Sequence, residues 1–239
     1  MPETQLHVEL LSCTPEGDNL VALAAKLCYA KSDVSNLREK ISKADQSAFI
    51  EKIMSSGHLS VVEHVSMTFV VEGVSRVLLA QLTRHRIASF SVQSQRYVSL
   101  AEQFNYIIPP RIKALGEAAE AEYKNQMTTM HEWYKGWQSK LGMGESSNED
   151  ARFVLPNACE TRLVMTMNVR ELKHFFRLRC CERAQWEIRA MATEMLRIAK
   201  QEFPALFADD GPGCVSGPCP EGRMTCGRMN EIREKFKQL

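Results

Sequence analysis

Arg84-His85-Arg86-Ile87-Ala88-Ser89-Phe90-Ser91-Val92-Gln93-Ser94-Gln95-Arg96-Tyr97 is the stretch on which the reading of this chain turns. Three chargeable side chains in a row are followed, after seven residues, by a serine and then by another arginine. Guanidinium groups present a planar fork that matches phosphate oxygens two at a time and keep their charge at any working pH. So many donors beside a hydroxyl suit a ligand carrying several phosphates, although a basic turn in solvent has the same composition. A helix is expected from about Ser75 into Arg84. On a wheel of 3.6 residues per turn it puts Val74, Val77, Leu78, Gln81 and His85 on one side. Gln81 on an otherwise apolar side needs partners for its amide, from the backbone or from a ligand.

Bulk properties narrow the field. The 239 residues are 44% hydrophobic, enough for a buried core in one large domain or two small ones. Thirty Lys and Arg against 29 Asp and Glu leave a net charge of +1, which speaks against coating nucleic acid or an anionic membrane. Anion binding must then be local. No apolar run reaches the ~20 residues a membrane helix needs. The start, Met1-Pro-Glu-Thr-Gln-Leu-His7, lacks the regions of a secretion signal. With eight cysteines, that points to reduced thiols and a cytoplasmic protein.

Along the chain, a first strand is expected at residues 5–13 and a helix from about Asn19 to Ala30. Ser42 to Asp45 looks like a capping box opening a helix that Gly57 closes. A strand from Val65 to Val71 should break at Gly73. Residues 116–141 read as one long helix, and Gly142 to Asp150 as the loop between halves. Thr161 to Met167 reads as a strand, followed by helices over roughly 169–179 and 184–202. Strands mixed with helices without regular alternation give an α+β fold with a mixed sheet and flanking helices. Neither G-x-G-x-x-G nor G-x-x-x-x-G-K-[ST] occurs, so phosphates would be held by side chains.

Other residues carry chemistry only in combination. Asn168 and Glu171 are spaced as a helix start. In the helix that follows, Arg179 falls on the side of Leu172, Phe175 and Phe176. Arginine is seldom buried unpaired, so Arg179 either frays into solvent or points into a partly dry anion pocket. His58, Glu63 and His64 lack the H-E-x-x-H spacing, and no metal is expected. Cys214, Cys219 and Cys226 in a Gly- and Pro-containing tail fall short of a four-ligand zinc pattern and read as turn packing.

These blocks stand in order: Gly57-His58 to Glu63-His64, Arg84-His85-Arg86 to Ser94, Ala151-Arg152-x-Val-Leu-Pro156, Asn168-x-Arg170, Leu178-Arg179 and Ala184-Gln-Trp-Glu-Ile-Arg189. Over roughly residues 50–190 the chain resembles the flavin-dependent thymidylate synthases. The resemblance implies conversion of dUMP to dTMP with methylenetetrahydrofolate as carbon donor, FAD as hydride carrier and NADPH as reductant. It also implies a homotetramer with active sites between subunits. By motif position, Ser60, Arg84, His85, Arg86, Asn168, Arg170 and His174 would contact FAD. Gln81, Arg84, Ser94, Gln95, Arg96 and Arg152 would hold dUMP, with Arg179 facing the uracil as the catalytic group. Ser91 and Val92 depart from the Asn-Glu of many members, leaving Val92 only its backbone for a ligand contact. A single domain over residues 1–208 and an extension over 209–239 are expected.

Two other readings compete. A flavoenzyme of the same fold acting on another pyrimidine nucleotide shares every motif. An RNA- or polyphosphate-binding module would need a wider basic surface and aromatic platforms, which the near-neutral charge disfavours.

Overall fold

A computed structural model describes residues 2–239. The chain opens with β1 (His7–Cys13), then α1 (Gly17–Leu27), α2 (Val34–Ser42), α3 (Ser47–Ser56) and a 3-10 turn at Leu59–His64. Next come β2 (Ser66–Ser75), α4 (Arg76–Leu82), β3 (Ala88–Val92), α5 (Pro110–Lys113), α6 (Glu117–Leu141) and α7 (Glu145–Ala151). A 3-10 turn at Arg152–Val154 leads to β4 (Glu160–Asn168), α8 (Val169–Arg179), α9 (Trp186–Glu202), α10 (Pro204–Phe207) and α11 (Met229–Lys237).

The fold is α+β, with one sheet ordered β1-β2-β4-β3. Its register is antiparallel: Thr14 meets Ser66 across β1 and β2, and Thr68 meets Thr166 across β2 and β4. The mixed character expected from the sequence is confined to an isolated parallel bridge, Glu3 with Tyr106, outside the strands. In β2, Met67, Phe69 and Val71 are buried in alternation, as are Thr161, Leu163, Met165 and Met167 in β4. That period of two is the pleat of a strand with one face toward the core.

The chain divides into two compact units. One comprises the segment ending at His7 with Val70–Arg84 and Phe90–Val164. Here α6 covers a cluster of Phe104, Tyr106, Ile108, Met127 and Cys159. Gly73 does not end β2, as the sequence suggested. It adopts φ 68° inside the strand, and a Cβ there would lie 1.8 Å from the Gln5 carbonyl oxygen, so the position requires glycine on both counts. Its N–H donates to Glu160 Oε1 at 3.1 Å, and Glu160 Oε2 accepts from Asn105 Nδ2 at 2.6 Å. The presumed loop at 142–150 is also corrected. Gly142 and Gly144 make the turn with positive φ, and residues 145–151 form α7. Ser147 and Asn148 face inward because Gln138 and Tyr134 of α6 supply their partners.

The other unit comprises Val8–Phe69, His85–Ser89 and Met165–Leu239. On α8, Phe175 and Phe176 are fully buried and in edge contact, each contributing about 1.5–3 kcal/mol by leaving water. Helix α9 buries Ile188, Met191, Ala192, Met195, Leu196 and Ala199, a continuous helical stripe. Ser42 closes α2 instead of opening a helix, and Asp45 accepts from the Ser47 N–H at the start of α3. Gly57 does end α3, in the left-handed region. In the tail, Ile232 and Phe236 of α11 are buried, and Arg233 donates to the carbonyls of Cys214 and Gly217 at 2.8 Å each. Cys214, Cys219 and Cys226 are free thiols, and burial, with neighbouring Cys219, Cys181 and Cys226, pushes the Cys214 thiol up.

Candidate functional site

The expected site residues fall into two groups, one in each unit. In the unit containing α8, Asn168 caps the helix: its Oδ1 accepts the Glu171 N–H at 2.9 Å. The reciprocal half of a capping box is missing. The Glu171 carboxylate turns instead to His85, with Oε1 at 2.9 Å from Nδ1. Side-chain exposures of 4% for His85 and 8% for Glu171 show that this pair is out of water. Its other ring nitrogen, Nε2, accepts from Arg179 Nε at 3.0 Å. A guanidinium has no acceptor, so Nε2 must be bare and the proton must sit on Nδ1, donated to Glu171. His85 is therefore a neutral imidazole of fixed tautomer.

The electrostatics agree. Burial pushes the His85 pKa below its ordinary value, and the positive charge of Arg179 and the neighbouring His174 push the same way. Glu171 opposes them through its hydrogen bond and charge without reversing the direction. The His85 ring meets Phe175 edge-on at 4.9 Å and His174 at 6.0 Å between centroids. The expectation that His85 lies on the helix before it is corrected: α4 stops at Leu82, and His85 follows a short turn.

A cavity of about 490 Å³ opens beside this group, lined by Glu63, Ile87, Asn168, Arg170, Glu171 and His174. Two of these lining residues, Arg170 and Glu63, form an ion pair. Arg170 and His174 also line a second cavity of about 630 Å³, with Lys173, Arg177, Asp209 and Asp210. Arg86 is exposed, and Arg179 is half-buried. Ser60 stands apart from these residues, in a third cavity lined by Phe49, Ile53, His58 and Val61.

In the other unit, Ser94, Gln95 and Arg96 form one turn after β3. Ser94 Oγ accepts the N–H of Arg96 at 3.1 Å and of Tyr97 at 3.4 Å. Gln95 Nε2 reaches Cys159 Sγ at 3.5 Å. The Arg96 guanidinium donates to Glu145 Oε1 at 2.7 Å and lies over the Tyr97 ring. The hydrogen bond and charge of Glu145 raise its pKa above the usual range. Asn148 Nδ2 donates to the Arg96 carbonyl, so α7 fixes the backbone of this turn. Arg152 follows α7 and returns its Nε to the Glu149 carbonyl at 3.1 Å. Gln81 is half-buried on α4 between the buried Leu78 and Leu82, and Arg84 is exposed.

Sequence reasoning overlooked Glu171 and Asn148 as site residues. Glu171 was legible only as a capping partner, and Asn148 sat in a stretch taken for a loop. A glutamate in an Asn-x-x-Glu start, one turn ahead of a His-Phe-Phe run, was the available signal.

Comparison with known proteins adds independent evidence. The family model described as "Thymidylate synthase complementing protein" matches residues 9–205. A flavin-dependent thymidylate synthase of Geobacter sulfurreducens is 51% identical over 235 residues, covering 98% of this chain and 99% of that protein. One from Clostridium tetani is 47% identical over 242 residues, covering 97% of each chain. One from Pyrococcus abyssi is 42% identical over 243 residues, covering 98% of each. These alignments include the tail, which the sequence motifs did not reach.

Proposed function

The chain belongs to the thymidylate synthase complementing protein family, and from that premise we propose that it converts dUMP to dTMP as a flavin-dependent thymidylate synthase. Methylenetetrahydrofolate is the carbon donor, NADPH the reductant and FAD the cofactor. The observation that carries the reading is Arg179. It is a half-buried guanidinium whose Nε donates to a neutral ring, within a chain that matches the family model over residues 9–205.

Uracil C5 is a poor nucleophile until electron density moves into the ring. A cation beside N3 and the ring oxygens stabilises the negative charge that develops there, as oxyanion-hole donors do. Each tenfold in rate needs about 1.4 kcal/mol, so one such group in a dry site supplies roughly two to three decades. Arg179 takes this role. Gln81, Arg84, Ser94, Gln95, Arg96 and Arg152 hold dUMP. The exposed guanidinium of Arg84 and the Ser94–Arg96 turn offer the donors that a monophosphate and a sugar require.

The residues fit FAD by the chemistry of their donors. A dinucleotide carries two phosphates, and the cavity beside α8 presents Arg170 and His174, with the exposed Arg86 in the same unit. Ser60, Arg84, His85, Arg86, Asn168, Arg170 and His174 are the residues that would hold it. When bound, the flavin supplies the hydride, and the protein orients it and excludes water.

The assembly is a homotetramer with sites between subunits. Supporting it, α6 presents Trp133, Trp137 and Leu141 at 55%, 47% and 49% exposure, an i, i+4, i+8 apolar stripe on a surface helix. Residues 1–208 form the catalytic domain and 209–239 an extension, in line with a family match that ends at residue 205. The enzyme works in the cytoplasm. The eight free thiols support this. Among the described residues, no helix is long and apolar enough to cross a membrane.

The test is dTMP formation by purified protein given FAD, dUMP, methylenetetrahydrofolate and NADPH, with FAD omitted as control. Product that depends on FAD establishes reaction, substrate and cofactor together. No product from folded protein favours the second reading, the same fold acting on another pyrimidine nucleotide. Val92, at the end of β3 where many members carry a glutamate, is the residue that favours it.

A further inference from the structure

We propose that Glu171 and His85 are positioning residues for Arg179: the carboxylate fixes the proton of His85 on Nδ1, and the bare Nε2 then holds the guanidinium in one orientation. The inference rests on the catalytic reading of Arg179 given above.

Three observations carry it. First, the bonds are continuous, 2.9 Å from Glu171 to His85 and 3.0 Å from His85 to Arg179. Second, the Glu171 carboxylate is not spent on capping its own helix but is turned to His85. Asn168 caps the helix by itself, and a carboxylate taken from water costs several kcal/mol unless paired. Third, donors and acceptors fit one arrangement. With the proton on Nε2, two N–H groups would face each other across 3.0 Å, and the Nδ1 lone pair would face a carboxylate. Arg179 carries a long side chain with several rotatable bonds, so a fixed acceptor at Nε removes freedom that would otherwise be lost on reaching the transition state.

The charged and titratable groups around His85 are few. From α8 come Glu171, His174 and Arg179. Arg84 and Arg86 flank it along the chain, and Glu63 and Arg170 line the neighbouring cavity. Protonating His85 turns Nε2 into a donor and releases Arg179, so turnover should fall as pH drops through the His85 pKa. Glu171 is the group in this set that holds that pKa up most directly, by hydrogen bond and charge. Removing its charge lowers the pKa further.

The experiment uses Glu171→Gln, which keeps size, and Glu171→Ala. In the wild-type protein, ¹⁵N shifts of the histidine rings should show His85 neutral with Nδ1 protonated. Both variants should retain FAD and leave the KM for dUMP within about threefold, while kcat falls about 10- to 100-fold, more for Ala than for Gln. The acid limb of kcat should move to lower pH in Glu171→Gln, a shift that simple loosening of the fold does not produce. A proton on Nε2, an unmoved limb, or loss of flavin with normal turnover per remaining flavin would each overturn the relay. The ring shifts are read without turnover. Absence of dTMP from wild-type protein therefore sinks the reading of Arg179, whereas a wrongly placed proton sinks the relay whatever the activity.

Discussion

Asn148 Nδ2 donates to the carbonyl oxygen of Arg96 at 3.0 Å, so a buried side chain of α7 fixes the backbone of an arginine proposed to hold substrate. The same amide's Oδ1 accepts from Gln138 and from Tyr134 on α6. The turn that carries Ser94, Gln95 and Arg96 is thereby tied to the longest helix through one residue. Asn148→Ala leaves the Gln138 amide and the Tyr134 hydroxyl short of an acceptor, at a cost of roughly 1–3 kcal/mol. The KM for dUMP should rise more than kcat falls. A thermal melt with a dUMP titration checks both, and an unchanged KM would detach Asn148 from the substrate site.

Arg179→Ala should keep bound FAD, since the flavin contacts are proposed for residues such as Arg86, Arg170 and His174 and not for Arg179. Turnover should fall by roughly two to three decades, the worth of one well-placed donor at a developing charge. Bound-flavin absorbance beside dTMP formation separates the two effects. Near-normal turnover would remove Arg179 from the chemistry.

Arg86 is exposed, so Arg86→Ala should leave the melting temperature unchanged. Retention of FAD through desalting should drop, because a phosphate loses a charge-assisted partner. A fully flavinated variant would contradict that role.

Gly73→Ala tests the backbone crossing at the end of β2. A methyl group would meet the Gln5 carbonyl at 1.8 Å, at a φ of 68° that strains any L side chain, and both atoms are backbone and cannot swing aside. The cost should be about 3 kcal/mol. At about 2–4 °C per kcal/mol for a chain of this size, the midpoint should drop by roughly 6–12 °C. A scanning-calorimetry trace with an unshifted midpoint would show that the N-terminal segment does not pack there.

Trp137→Glu places a charge in the stripe of Trp133, Trp137 and Leu141. Light scattering should show a smaller species than the wild type, with dTMP formation lost alongside if sites are shared between subunits. An unchanged mass would mean that the subunits meet elsewhere.

How much was legible in the sequence differs by residue. The long helix, the strand before Asn168 and the two helices after it follow from apolar period and caps, which are local, and they appear within a few residues of expectation. Local signals misled where a distant backbone decided the conformation. Gly73 looked like a strand breaker, yet it is the residue that lets the N-terminal segment pass. Gly142 to Asp150 looked like a linker, yet Ser147 and Asn148 find their partners on α6 and the stretch becomes helical.

The resemblance to the family was legible in the sequence alone, because it rests on motif blocks in fixed order along the chain, which no tertiary contact is needed to read. The sequence also raised the question of Arg179, an arginine on the side of two phenylalanines. Only the tertiary structure answered it. One partner of Arg179 is His85, 94 residues away in the chain, and His85 in turn meets a glutamate that the sequence assigned to a helix cap. Spacing along a chain specifies which side chains share a face of one helix. It does not specify which residue of another segment meets that face, and the tautomer of a buried histidine depends on that meeting.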